Sequence, residues 1–163
     1  MVGVELHPIR ESDSDALIRI LTDEQVKKTY MLPDFASRED AYRLFARLRD
    51  LSNDPDRFVR GVFLEDHLIG FLNDVQITDE SIELGWALHP DYHNRGYATR
   101  AVKLAICELF ARGFPSVIAG AFQENPASIR VMEKSGMERI EFTEEIEYRG
   151  NVHHCIYYRI EKA

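Results

Sequence analysis

The sequence has little of what marks specialised classes of protein: two cysteines, nine glycines and six prolines among 163 residues. Two cysteines cannot crosslink a domain of this size in the manner of disulfide-rich secreted proteins. We therefore expect Cys107 and Cys155 to be reduced, packed thiols in a cytoplasmic protein. The low glycine and proline content excludes collagen-like chains and flexible linkers.

Long apolar runs and an excess of positive charge are also missing. No stretch approaches the ~20 apolar residues that span a bilayer, and the N-terminal residues lack the basic and apolar regions of a secretory signal peptide. Lys and Arg number 20 against 28 Asp and Glu, which gives a formal net charge of −8. Because nucleic-acid binding needs a basic face, we expect neither a membrane nor a nucleic acid as a partner.

What is present is typical of a folded domain, with 45% hydrophobic and 29% charged residues. A chain of this length buries roughly 70% of its unfolded surface when it folds. The composition argues against disorder, and no repeat or linker divides the chain. We predict a single domain over residues 1–163.

Patterns in the first third of the chain predict one strand and two helices. Residues 2–9 alternate in polarity as a strand does, and residues 12–15 supply an N-cap ahead of apolar residues at helical spacing. A second helix begins near Ser37 or Arg38. It has a buried apolar stripe and arginines that lie mostly off the stripe on a solvated face. The stripe comprises Ala41, Leu44, Phe45, Leu48 and Leu51, and the arginines are Arg43, Arg47 and Arg49.

The remaining patterns predict three strands in an antiparallel meander, then a strand–helix–strand crossover, a second helix and a final hairpin. The predicted strands cover residues 58–64, 67–72, 82–88, 117–122, 137–148 and 153–160, with the last turn at 149–151. The predicted helices cover residues 97–112 and 125–135, stopped by Gly113 and Gly136. This order predicts an α/β (α+β) fold with a mixed, mostly antiparallel sheet of about seven strands flanked by about four helices.

Residues 82–101 combine a strand, a glycine-containing loop and the start of a helix. The first amides of a helix have no intrahelical partner and lie at the positive end of its dipole. Gly96 permits close approach of a ligand to the backbone, and Ala98 is small. The pattern favours binding of an anion such as a pyrophosphate, although a single glycine at such a junction also serves turn geometry alone.

Two motifs in this order resemble those of the GNAT N-acetyltransferase superfamily. Asn94-Arg95-Gly96-Tyr97-Ala98, continued by Thr99, resembles the loop of motif A, although His93 stands where the family usually has Gln or Arg. Downstream, Asn125 and Ser128 open a helix that resembles the one beside the thiol end of the cofactor. The resemblance covers essentially the whole chain and is strongest to the branch that includes the ribosomal-protein alanine N-acetyltransferases.

The resemblance implies a GNAT-like fold, acetyl-CoA as donor and a primary amine as acceptor, on a small molecule or a protein N-terminus, without a metal. A homodimer would also be in keeping with it. The pantetheine arm would pair with the strand end, and the pyrophosphate would lie on the loop amides. The implied cofactor-binding residues are Trp86, Ala87, Leu88, His93, Asn94, Arg95, Gly96, Tyr97, Ala98, Thr99, Asn125 and Ser128.

Direct transfer requires a base for the ammonium, a donor for the developing oxyanion and help for the leaving thiolate. The resemblance implies Glu83 or Glu147 as the base, a backbone amide near Leu88 as the oxyanion donor, and Ser128 near the thiol. Met132 occupies the position at which many relatives have a tyrosine acid, so Ser128 would act by hydrogen bonding. The alternatives are a non-catalytic acyl-CoA sensor and an interaction module on the same fold.

A metal site is not expected. His153 and His154 are adjacent, but neighbouring residues of a strand point to opposite faces. No third ligand has a recognisable spacing.

Overall fold

The computed structural model describes residues 3–163 and contains seven strands in one sheet within that range. Val2, predicted to begin the first strand, lies outside the described residues. The strands are β1 (Val4–His7), β2 (Val59–Leu64), β3 (His67–Ile77), β4 (Ser81–Leu88), β5 (Ser116–Phe122), β6 (Glu138–Tyr148) and β7 (Asn151–Glu161). Their order in the sheet is β1-β2-β3-β4-β5-β7-β6, and β4 and β5 form its parallel pair, so the predicted mixed, mostly antiparallel sheet is confirmed.

Helices cover both faces of the sheet. The helices of residues 3–163 are α1 (Ser14–Leu21), α2 (Glu24–Thr29), α3 (Arg38–Ser52), α4 (Tyr97–Ala111) and α5 (Pro126–Lys134), with short 3₁₀ turns at Glu11–Asp13 and Pro90–Tyr92. None of them has the length and apolar character needed to cross a bilayer. Ile82, Leu84 and Leu88 of β4 pack against α4 and α5 on what we call the α4 face. Ala87 of β4 packs against α1 and α3 on the opposite, α3 face.

Helix α2 is a feature that the sequence patterns did not predict. It is only six residues long, too short for a visible periodicity. Its N-cap, Asp23, accepts hydrogen bonds from the amides of Gln25 and Val26, and this capping stabilises the helix. The Asp23 cap was the one sequence signal available for it.

The last turn and one cysteine also differ from expectation. The predicted turn at 149–151 is wrong in length, because Asn151 already pairs with Tyr148 across a two-residue loop. Arg149 and Gly150 adopt φ values of 51° and 78°, as a type I′ turn requires. Cys155 is buried as expected, but Cys107 is exposed, since it lies outside the buried stripe of α4.

Candidate active site

The parallel strands β4 and β5 separate partway along their length. They pair only from Ser81 and Ser116 to Leu84 and Ala119, although both strands continue for several residues. The next residue on each strand is a glycine, Gly85 on β4 and Gly120 on β5. A gap therefore opens in the middle of the sheet, beside the predicted cofactor segment Trp86 to Leu88.

Trp86 and Leu88 direct their backbone groups into this gap. The amide of His89 donates to the carbonyl of Ile69 on the β3 side, 2.9 Å away. In an antiparallel pair the hydrogen-bonding side alternates along the strand, so the backbone groups of Leu88 and Trp86 point away from β3. This edge can pair with an extended ligand as a strand would. The Ala87 side chain is buried on the α3 face.

His93, the departure from the usual motif, binds the end of β4. Its ring Nε2–H donates to the Leu88 carbonyl at a distance of 2.8 Å, which fixes the proton on Nε2. The His93 amide also donates to the Pro90 carbonyl. These two hydrogen bonds hold the loop against the end of β4. They give His93 a structural role that does not depend on contact with a cofactor.

The loop then enters α4 through two residues with positive φ, Asn94 at 61° and Gly96 at 81°. The first intrahelical bond runs from the Arg100 amide to the Gly96 carbonyl, so the amides of Tyr97, Ala98 and Thr99 precede it. Within residues 3–163, no heavy atom beyond its chain neighbours lies within 4 Å of where a side chain at Gly96 would begin. Together with the exposed Arg95, this open helix terminus fits a pyrophosphate.

Asn125 and Ser128 are joined at the start of α5. The buried Asn125 side chain donates its Nδ2–H to Ser128 Oγ at 3.0 Å and accepts the Ser128 amide at 3.3 Å. Because a hydroxyl carries a donor as well as acceptors, Ser128 can still donate a hydrogen bond to a sulfur or a water. Met132, one turn further, is fully buried in the core, so a side chain at that position points away from solvent.

The α3 face of the gap has aromatic walls. A side chain at Gly85 would begin 3.2 Å from Asn73 Oδ1 and 3.5 Å from the Tyr30 ring, and Tyr30 donates its hydroxyl to Asn73 at 2.6 Å. At Gly120 a side chain would begin 2.5 Å from the Tyr157 ring. At Gly120 any larger residue would therefore force the Tyr157 ring to shift. At Gly85, by contrast, an added side chain would be in tight contact with Asn73 and in ordinary contact with Tyr30.

Glu83 lies on this same α3 side of the gap, half-buried, one residue before the pairing of β4 with β5 ends. We call the space beside Glu83, Tyr30 and Tyr157 the acceptor passage. Burial raises the pKa of the Glu83 carboxyl, and the charge of Glu144 raises it further. Tyr157 donates its hydroxyl to Glu144 at 2.8 Å. Burial raises the pKa of that phenol, and the hydrogen bonds to Cys155 and Glu144 and then the charge of Glu83 raise it further. Glu83, Glu144 and Tyr157 therefore form one electrostatically coupled group on the α3 face.

Glu147, the second predicted base, is not brought to Glu83. It pairs with Val152 and is exposed on the α4 side of the β6–β7 hairpin, because its neighbour Tyr148 points to the α3 face and bonds there to the Lys27 carbonyl. Glu144 and Tyr157 were missed by the sequence reasoning. A two-residue turn at Arg149 and Gly150 sets the register that pairs Glu144 with Cys155. This register also brings Glu144 beside Tyr157, so the turn length was the signal that could have identified both residues.

A metal site has no structural support in the part of the chain that is described. Residues 3–163 contain no group of three or more His, Cys, Asp or Glu side chains arranged to hold an ion. His153 contacts Glu124 and stacks on Phe122, and His154 contacts Glu145.

Comparison with known proteins adds an independent line of evidence. The family model described as an acetyltransferase (GNAT) domain matches residues 4–138. The uncharacterized N-acetyltransferase YnaD of Bacillus subtilis is 31% identical over 145 residues, which cover 85% of this chain and 81% of YnaD.

Two solved structures share the fold at low sequence identity. The RimL ribosomal L7/L12 α-N-protein acetyltransferase in complex with coenzyme A superposes with a TM-score of 0.86 at 16% identity, covering 98% of this chain and 94% of RimL. A spermidine N-acetyltransferase from Vibrio cholerae, in complex with CoA and spermine, gives a TM-score of 0.82 at 16% identity, covering 98% and 95%.

Proposed function

The chain belongs to the GNAT acetyltransferase family and is an N-acetyltransferase, and from this premise we propose that it transfers acetyl from acetyl-CoA directly to a primary amine within a ternary complex. The observation that supports direct transfer most strongly is the gap between β4 and β5. It is open to the α4 N-terminus on one side of the sheet and to Glu83 on the other. Donor and acceptor can therefore approach one another from opposite faces.

The donor side of the proposal rests on backbone groups. An extended pantetheine arm would pair with Trp86 and Leu88, and the amides of residues 95–98 would bind the pyrophosphate. The acetyl-CoA substrate supplies an activated thioester carbonyl. The Leu88 amide, directed into the gap, would donate to the oxyanion that develops on that carbonyl.

On the acceptor side Glu83 would accept the proton of the incoming ammonium through a water molecule. A buried carboxylate with a raised pKa suits this role, because its pKa lies nearer to the working pH. The neutral amine then forms the new C–N bond, and the thiolate leaves with the electrons of the broken C–S bond as the carbonyl re-forms. The second proton of the amine nitrogen passes through water to that thiolate, so the products are a neutral amide and the CoA thiol. Ser128 would donate a hydrogen bond to the leaving sulfur.

For the acceptor we propose only its reactive group, a primary amine. RimL is described as acting on a ribosomal protein and the Vibrio cholerae enzyme as a spermidine N-acetyltransferase, so both a protein N-terminus and a small amine are candidates for this chain. Residues 1–163 would form one acetyltransferase domain, as predicted. Cytoplasmic location, a homodimer and the absence of a nucleic-acid partner stay predictions.

The test is a screen for acetyl transfer that follows the release of free CoA thiol. Protein N-terminal peptides, amino acids, polyamines and aminoglycosides are each supplied with acetyl-CoA, and products are identified by mass spectrometry. We expect thiol release that depends on at least one amine class and yields its acetylated product. Binding of acetyl-CoA without release in any class would instead support the non-catalytic sensor.

A further inference from the structure

A cavity of about 280 Å³ lies between α3, the segment that follows α2, and strands β2 and β3. Its walls are mainly aliphatic, with Leu44, Leu48 and Leu51 from α3, Met31 from the connecting segment and Phe71 from β3. A volume of this size accommodates a short alkyl chain. None of the residues assigned above to donor binding lines it.

One cationic side chain in this cavity has no carboxylate partner. Arg57 and Asp74 also line it, but they form a bidentate pair at 2.7 and 2.8 Å, so their charges cancel. Arg47 lies between Leu44 and Leu51 on the same side of α3, and no hydrogen bond or ion pair between residues 3–163 involves it. The cavity therefore has a net charge of one positive unit, on an exposed guanidinium.

The other two arginines of this helix behave differently. Arg43 pairs with Glu39 and Asp40, and Arg49 pairs with Asp50 and contacts Glu11. Arg43 is exposed, as the sequence predicts, whereas the Arg49 side chain is only 28% exposed. Arg47 is exposed as well, but it differs from the other two in lining the cavity alongside the apolar stripe.

The cavity and the acceptor passage meet at two lining residues that they have in common. Tyr30 and Asn73 line it and also lie over Gly85, next to Glu83 on the α3 face. An acceptor whose amine reaches Glu83 can therefore extend its remaining atoms past the Tyr30–Asn73 pair into the cavity.

From this arrangement we propose that the acceptor is an amine with an aliphatic segment and a carboxylate, in which Arg47 binds the carboxylate and the leucines of α3 contact the aliphatic segment. This inference rests on the proposed amine acetylation and narrows its acceptor. Arginine binds carboxylates in bidentate geometry. A polyamine of the same length would bring a second ammonium against Arg47 and is disfavoured.

The experiment compares acceptors matched in length, because the reach from Glu83 to Arg47 selects a chain length. The probes are γ-aminobutyrate, ε-aminocaproate and ω-aminocaprylate, each beside the alkylamine and the diamine of equal carbon number. They are assayed with wild type, Arg47→Gln and the control Arg43→Gln, which removes an arginine of the same helix that does not line the cavity. Thermal-shift titration with ε-aminocaproate and ω-aminocaprylate, without acetyl-CoA, measures binding independently of turnover.

We expect one amino carboxylate to exceed its matched diamine by about 10-fold or more in kcat/KM, the lower end for one hydrogen bond to a charged group. Arg47→Gln should abolish this preference and the thermal shift while alkylamine turnover stays unchanged, and Arg43→Gln should behave as wild type. Equal use of carboxylates and diamines, or equal losses in the two variants, would overturn the inference. If no amine is acetylated, the proposed function fails. In that case the thermal shift, and its loss in Arg47→Gln, test by themselves whether the cavity binds an amino carboxylate.

Discussion

Glu83 and Glu147 project from opposite faces of the sheet. Glu83 shares the α3 face with Tyr157 and Glu144, whereas Glu147 follows Ile146 and precedes Tyr148, both of which point to the α3 face. Because β6 is the edge strand, an acceptor that lies over Glu83 would have to extend around the edge of the sheet to contact Glu147. The register of one hairpin therefore places the two carboxylates that the sequence left as alternatives on different faces.

This separation gives the first prediction. Glu83→Gln should lower kcat roughly 100-fold or more, since it removes the base and keeps the side-chain shape. Glu147→Gln is the matched control and should keep wild-type turnover, because the side chain is exposed on the other face. Acetyl-CoA affinity, measured by titration calorimetry, should be unchanged in both. A loss confined to Glu147→Gln would reverse the assignment.

The second prediction concerns pH. Burial, and then the charge of Glu144, raises the pKa of Glu83, and the base must be ionised to act. The value of kcat/KM should therefore fall as the pH decreases through this raised pKa. Glu144→Gln removes the smaller cause and should move the acid limb to lower pH, while glutamine can still accept from Tyr157. An acid limb at the same pH in both proteins would show that Glu83 and Glu144 are not coupled there.

The third prediction concerns the pyrophosphate loop. Wild type should bind acetyl-CoA in the micromolar range, about −8 kcal/mol. Gly96→Glu introduces strain at a φ of +81° and a negative charge beside the α4 N-terminus, and it should abolish measurable binding. Gly113→Glu provides the control, since Gly113 has a φ of +101° and similarly open surroundings near the other end of α4. Equal calorimetric titrations for the two variants would refute the loop assignment.

The fourth prediction concerns the thiol end. A hydrogen bond to a charged partner contributes roughly 1.5–3 kcal/mol, so Ser128→Ala should slow turnover by about 10- to 150-fold and leave the fold intact. Met132→Tyr should not restore a tyrosine acid, because Met132 is fully buried and a larger ring there costs about 1–3 kcal/mol of stability. The measurements are kcat against pH and urea unfolding. A rate loss above ~10,000-fold in Ser128→Ala would indicate an essential proton relay.

Much of the architecture was predictable because caps and periodicity are local. Ser37 caps α3, Asn125 caps α5 with Pro126 behind it, and Gly113 and Gly136 adopt the positive φ values expected after helix ends. The family was predictable because the two motifs are themselves contiguous. Contacts between side chains distant in sequence, such as Tyr30 with Asn73, depend on sheet register and have no local signal.

The β6–β7 turn illustrates why the candidate base was harder to predict. A shift of one residue in register exchanges the two faces of a strand. With the three-residue turn expected from the sequence, Tyr157 would lie opposite Thr143 and share a face with Glu147. With the two-residue type I′ turn, Glu144 lies opposite Cys155 and bonds to Tyr157. A difference of one residue in the length of this turn thus decides whether Glu144 or Glu147 lies on the same face as Tyr157.

The central claim is direct transfer between two substrates bound at once on opposite sides of the β4–β5 gap. Initial velocities, measured while acetyl-CoA and the amine found in the screen are varied together, test it most directly. We predict double-reciprocal lines that intersect, and no release of CoA thiol when the amine is omitted. Parallel lines, with thiol released in proportion to enzyme before any amine is added, would indicate an acetyl-enzyme and contradict the account.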